Sequence, residues 1–108
     1  MSRPKKKAKT VARRSTSIVS MRLYIAGSAP NSRQAIDNLE AICREHLKGF
    51  YKLEVVDILE QPLRALADGV LVTPTLNKLS PGPRANLIGN LSDRDKVLFA
   101  LGIKEQGT

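Results

Sequence analysis

The sequence predicts a small α/β domain: a mixed four-stranded sheet with three helices, in the order βαβαββα. Three observations lead there. Two strand-like segments flank a helical one within about 40 residues, the signature of a right-handed βαβ crossover with parallel strands. A β-branched run broken by proline and a shorter strand follow, and a capped helix closes the series. At 108 residues the chain suits one domain. No apolar run approaches the roughly 18 residues a membrane-spanning helix needs, so no membrane association is expected.

The first strand is Ser20-Met21-Arg22-Leu23-Tyr24-Ile25-Ala26. Met21, Leu23 and Ile25 share one face, and Tyr24 and Ala26 the other, so both faces should be covered. Gly27-Ser28-Ala29-Pro30 breaks it. Asn31 with Gln34 reads as an N-cap and its capping-box partner. The helix that follows carries Ile36, Leu39, Ile42, Cys43 and Leu47 in one stripe and should end near Gly49.

Tyr51 to Ile58 forms the second strand. Pro62 suits the first position of a short helix containing Leu63, Leu66 and Ala67, which Gly69 ends. Val70 to Leu76 reads as a β-branched strand interrupted at Pro74, which implies an edge, a bulge or a special turn. Ser80-Pro81-Gly82-Pro83 is a turn, Ala85 to Gly89 a short last strand, and Ser92 with Asp95 caps a helix burying Val97, Leu98 and Leu101.

The formal charge is +8, and its placement matters more than its size. Arg3, Lys5, Lys6, Lys7, Lys9, Arg13, Arg14 and Arg22 all precede the first acid, Asp37; the remaining basic and acidic residues balance. Residues 1–17 hold one larger aliphatic, Val11. They cannot bury enough apolar surface to offset ordering, so the organisation expected is a disordered basic arm (1–17), a folded domain (18–104) and a short flexible tail (105–108). No apolar h-region follows the basic residues, so a secretory signal is not expected. The arm reads mainly as a solubilising tail. The alternative is a weak, non-specific nucleic-acid contact through residues 3–14, whose affinity would fall steeply with salt. Only four aromatics, Tyr24, Phe50, Tyr51 and Phe99, make a thin base-stacking surface.

Motifs for catalysis are missing. The single cysteine, Cys43, forbids an internal disulfide and fits a cytoplasmic setting. Its place in the apolar stripe marks an inert thiol. His46, three residues on, makes no zinc site with it, because two further ligands are lacking; it reads as an ordinary residue near a helix C-terminus. No phosphate-cradling glycine motif occurs. No catalytic residue, cofactor or metal is therefore expected, and the chain is taken as a non-enzymatic binding module.

The element order and punctuation resemble the thioredoxin fold. Where thioredoxins carry C-x-x-C, this chain has Ser28-Ala29-Pro30-Asn31, so the attacking thiolate is absent. Thr73-Pro74-Thr75 matches the place of the thioredoxin cis-proline, and Pro74 is the candidate for a cis peptide. Closer still, Leu23-Tyr24-Ile25-Ala26-Gly27, Pro30-Asn31-Ser32, Leu53 to Pro62, Thr73-Pro74-Thr75-Leu76 and Ile88 to Arg94 are similar, in order, to the KaiB family of circadian clock proteins. That resemblance spans roughly residues 20–101.

The resemblance implies a bacterial regulator that docks onto a hexameric KaiC-like ATPase and modulates its phosphorylation and ATPase state. It also implies members that switch between a thioredoxin-like monomer and a differently folded tetramer. The expected docking residues are Ile58, Leu59, Gln61, Pro62, Ala67, Asp68 and Val70, at the end of the second strand, the second helix and the following loop. Plain core packing is the competing account of the apolar ones. A role as competitor of kinase input domains for the same surface is a further alternative.

Three departures bear on this. Arg84-Ala85-Asn86 lacks one arginine of a basic pair, and Asp68-Gly69 replaces loop lysines. Phe99-Ala100-Leu101-Gly102-Ile103-Lys104 replaces a segment with glycine, leucine and tyrosine. Alanine for glycine favours helix by about 1 kcal/mol, so the thioredoxin-like state is expected, as a monomer or homodimer, with little tetramer; homo-oligomers remain open.

Overall fold

The computed structural model describes residues 18–103; the basic arm, the 105–108 tail and Lys104 lie outside the described residues. The elements are β1 (Val19–Ile25), α1 (Pro30–Ile42) continued by a π-helical turn (Cys43–Leu47), β2 (Tyr51–Asp57), α2 (Pro62–Ala67), β3 (Thr75–Ser80), β4 (Ala85–Ile88) and α3 (Arg94–Leu101). The sheet order is β2-β1-β3-β4. β1 pairs parallel with β2, and β3 pairs antiparallel with both β1 and β4. This is the mixed four-stranded sheet with three helices that the sequence predicts.

The two faces of the sheet differ. Val19, Met21, Leu23 and Ile25 of β1 join Ala35, Leu39, Ile42 and Cys43 of the first helical segment, Leu76 of β3, Leu91, and Val97, Leu98 and Leu101 of α3 in one core. Tyr51, Leu53, Leu87 and Ile103 pack against it. Alternation along the strands sends Arg22 and Tyr24, with Glu54 and Val56, to the opposite face, which carries α2.

Several element boundaries differ from the sequence reading. α1 begins at Pro30, with Ala29 as an N-cap that offers no side-chain acceptor; the Asn31–Gln34 box is not used. A proline at the first helical position has no N–H to satisfy and already has a helical φ, so it starts the helix one turn position earlier. Nearby, the Ser32 hydroxyl accepts the Ala26 amide at 3.1 Å. The third strand begins at Thr75, and Val70 to Pro74 is loop. These residues follow directly on the left-handed Gly69 that closes α2, and the ladders with β1 and β4 begin only at Thr75. α3 is capped by Asp93, whose carboxylate accepts the Lys96 amide at 3.3 Å, and not by Ser92 with Asp95. Asp93 lies one residue nearer the helix and so holds the capping position.

α2 and α3 end alike. Gly69 and Gly102 adopt φ of +75° and +77°. Val70 donates to the Ala65 carbonyl and Gly69 to that of Leu66, as Ile103 does to Leu98 and Gly102 to Phe99. Both are Schellman closures, in which a left-handed glycine lets two otherwise orphaned carbonyls be satisfied. After α3 the closure also folds Ile103 back onto the core.

Candidate partner-docking site

The segment from Ile58 to Pro74 is built around few buried side chains. In α2 only Ala65 is buried. Its position is set by polar chemistry on the sheet face beneath it. Tyr24, 0% exposed, donates its hydroxyl to Asp68 Oδ2 at 2.5 Å. Arg64 grips Glu54 with both guanidinium ends, at 2.7 and 2.6 Å. Arg22 reaches Glu54 at 2.9 Å and lies 3.6 Å from Asp68. These five side chains link β1, β2, α2 and its cap, and the Arg–carboxylate fork adds direction as well as charge. Hydrogen bonds from Arg64 and Arg22 hold the Glu54 carboxyl far below the usual carboxylate range, at about 2. Burial, then the bond to Asp68, raises the Tyr24 hydroxyl above its ordinary value.

The approach to α2 is fixed by a second cluster. Asp57 Oδ1 accepts amides from Gly27 and Leu59, each at 3.0 Å, and the Asp57 carbonyl accepts those of Glu60 and Gln61. Gly27 has φ +56°, and a Cβ there would stand 3.0 Å from Leu59 Cδ1. Glycine is required both for the left-handed backbone and for the close approach of Leu59.

Held this way, the segment turns its apolar side chains outward. Leu59, Leu63, Leu66, Leu71 and Val72 are 69%, 79%, 71%, 90% and 47% exposed. Leu63 and Leu66 stand one turn apart on the outer side of α2. Isolated exposed leucines are ordinary, but several from one short stretch are unusual on a monomer surface and make this segment the candidate for an interaction site. Beside them a shallow cleft of about 160 Å³ lies between Asp68 to Val72 and the sheet residues Thr75, Asn77, Asn86 and Ile88.

Of the residues singled out in the sequence, Leu59, Gln61, Pro62, Ala67 and Asp68 are exposed, while Ile58 and Val70 are half-buried. All seven fall on this segment. Asp68 proves to be part of the tether to Tyr24, a role no local pattern announces. Leu63, Leu66, Leu71 and Val72 were missed as surface residues. Their only sequence signal is an excess: a six-residue helix with one inward face cannot bury Leu63, Leu66 and Ala65 together. The Thr73–Pro74 peptide is cis, as are Ser80–Pro81 and Gly82–Pro83.

Elsewhere the chemistry is quiet. Cys43 is fully buried, and burial, with Glu40 adding, pushes its thiol up to about 11. His46 sits in the π-helical turn, where Arg94 donates to its Nε2 at 3.0 Å and also pairs with Glu45. Among the described residues no group of three His, Cys, Asp or Glu side chains could hold a metal ion, and no helix is long and apolar enough to cross a membrane.

Comparison with known proteins follows the same lines. The KaiB domain family model matches residues 22–103. A circadian clock oscillator protein KaiB of Prochlorococcus marinus subsp. pastoris is 47% identical over 83 residues, 77% of this chain and 78% of that protein. A circadian clock protein KaiB3 of Synechocystis is 46% identical over 87 residues, covering 81% and 85%. Among solved structures, the N-terminal domain of Synechococcus elongatus SasA matches with TM-score 0.66 at 22% identity, covering 92% of each chain. Chloroplastic thioredoxin z matches with TM-score 0.68 at 17% identity, covering 80% and 77%. The two structural likenesses show a thioredoxin-like fold.

Proposed function

The chain belongs to the KaiB family of circadian clock proteins, and from that premise we propose that it regulates a hexameric KaiC-like ATPase by docking through the α2 segment. Binding there would modulate the phosphorylation and ATPase state of the ring without chemistry by this chain. The observation that carries the reading is the outward row of Leu59, Leu63, Leu66, Leu71 and Val72. It is held on a polar tether in place of a buried apolar one.

The proposed contact is apolar at its centre and polar at its margin. Leucines desolvate against the partner, while Gln61, Glu60 and Asp68 supply rim hydrogen bonds, the usual anatomy of a protein interface. Ile58, Leu59, Gln61, Pro62, Ala67, Asp68 and Val70 are the proposed docking residues, with Leu63, Leu66 and Leu71 added. The interface needs no cofactor.

The test is capture by a cognate KaiC-like hexamer, with and without ATP, scored by co-elution. Leu66→Glu should keep the circular dichroism and melting of the parent, because the side chain is 71% exposed, and should lower affinity at least tenfold. No binding by the parent chain in either nucleotide state refutes the proposal, and unchanged binding by Leu66→Glu refutes the assigned surface.

A further inference from the structure

α2 covers only part of its side of the sheet. It is tied to Glu54 of β2 and, through Asp68, to Tyr24 of β1. Toward the starts of β1 and β2 the same side carries no helix among the described residues. Ser20 and Lys52 lie side by side there, and Asn77 faces Asn86 across β3 and β4. The Phe50 carbonyl accepts the Val19 amide at 3.1 Å, which extends the ladder one residue ahead of β2. Strand alternation then puts the Phe50 ring on the side of Lys52. That ring is 44% exposed. Two strands away, about 10 Å, a cleft of about 320 Å³ opens between Asp68 and the strand residues Asn77 to Leu79, Arg84 and Asn86.

The charge on this bare part of the face is one-sided. Glu54 and Asp68 are held by Arg22 and Arg64, while Lys48, Lys52 and Arg84 enter no ion pair with a described residue. Residues 1–17 hold seven basic side chains and no acid. They join the fold at Ile18, whose neighbour Val19 is the residue bonded to Phe50. One corner of the molecule therefore collects an exposed aromatic ring, a lysine two residues to either side of it, and the attachment of the basic arm.

We propose that this corner binds single-stranded nucleic acid. Lys48, Lys52 and the arm neutralise phosphates, which supplies affinity by counterion release without regard to sequence. A base stacks on Phe50, which requires a base free of its duplex partner. Asn77, Asn86 and Arg84 offer amide and guanidinium groups of the kind that meet base edges. A basic arm alone would suit a duplex or an anionic membrane equally well; the ring and the amide-lined cleft favour the single strand. The leucine row of α2 takes no part, so this contact and the regulatory reading stand or fall separately.

Fluorescence anisotropy of the full chain tests it, with labelled single strands of about 20 nucleotides, DNA and RNA of one sequence in parallel, and the DNA duplex of that sequence. Both strands should bind at roughly 50 mM salt and weaken steeply as salt rises, and the tighter of them names the source. Phe50→Leu keeps the apolar bulk and removes the flat ring. It should weaken the single strands about tenfold, as the loss of one stacked base does, and leave the duplex unchanged. Lys48→Gln and Lys52→Gln should each flatten the logarithmic salt slope by about 0.7, with unchanged circular dichroism. Three results would overturn the proposal: no binding of either strand at low salt, single-strand affinity unaltered by Phe50→Leu, or displacement of the strand by an equal concentration of phosphatidylserine in vesicles.

Discussion

Replacing Tyr24 by Phe removes one oxygen from the centre of the α2 tether and leaves the buried ring in place. What is lost is the 2.5 Å bond to the Asp68 carboxylate and a 3.4 Å contact from Arg22. A hydrogen bond to a charged group contributes about 1.5–3 kcal/mol net. Asp68 is 29% exposed at its side chain and keeps Arg22 and Arg64 within 3.6 and 3.9 Å. Water and the arginines therefore recover part of the loss, which brings the expected cost to about 1–2 kcal/mol. For a domain of this size that lowers the melting temperature by roughly 5–15 °C. Truncation to alanine would instead open a core cavity and cost about 3–5 kcal/mol.

Urea and thermal melts of Tyr24→Phe, Asp68→Ala and the double variant supply the measurement. The double variant should cost less than the sum of the singles by about 1 kcal/mol. Amide exchange should speed up in α2 while the amides of β1 keep their protection. Additive costs, or a Tyr24→Phe variant that melts within experimental error of the parent, would show that the tether carries no stability.

Glu54 makes the tether acid-sensitive. Its pKa is depressed when folded, to about 2, against roughly 4.3 unfolded. The stabilisation is thus complete above the unfolded value and disappears as pH falls from about 4 to 2. Glu54→Gln should show a shallower loss of stability through that window, seen in urea midpoints measured at successive pH. Gly27→Ala must hold alanine at φ +56° beside Leu59, and should cost about 1–2 kcal/mol in the same melts, while Gly82→Ala, with open space around it, should cost little. Cys43 should resist alkylation at neutral pH until the chain unfolds, a contrast that mass spectrometry under native and denaturing conditions resolves.

The parts of the fold that were legible in the sequence are those where one periodicity or one punctuating residue decides. Met21, Leu23 and Ile25 alternate, Ile36 to Leu47 recur at helical spacing, and Gly49 and Gly69 stop their helices. Competition between equivalent signals obscured the rest. Asn31 and Pro30 both suit a helix start, as do Ser92 and Asp93, and propensity does not rank them. Val70 to Val72 have strand-forming side chains, but a tertiary turn overrides that preference. The candidate docking segment was proposed by resemblance. Its construction was not legible, because Tyr24 and Asp68 are 44 positions apart and meet only after the βαβ crossover has formed.

The sheet also acts as a partition between two kinds of selection. On the side of α1 and α3, side chains interlock, and a change at Leu39 or Val97 must be answered by its neighbours. On the α2 side, Leu63, Leu66 and Leu71 touch little of their own molecule. They can change identity with almost no penalty to folding, so, if the proposed docking surface holds, partner preference is free to drift or be re-engineered over an unaltered scaffold.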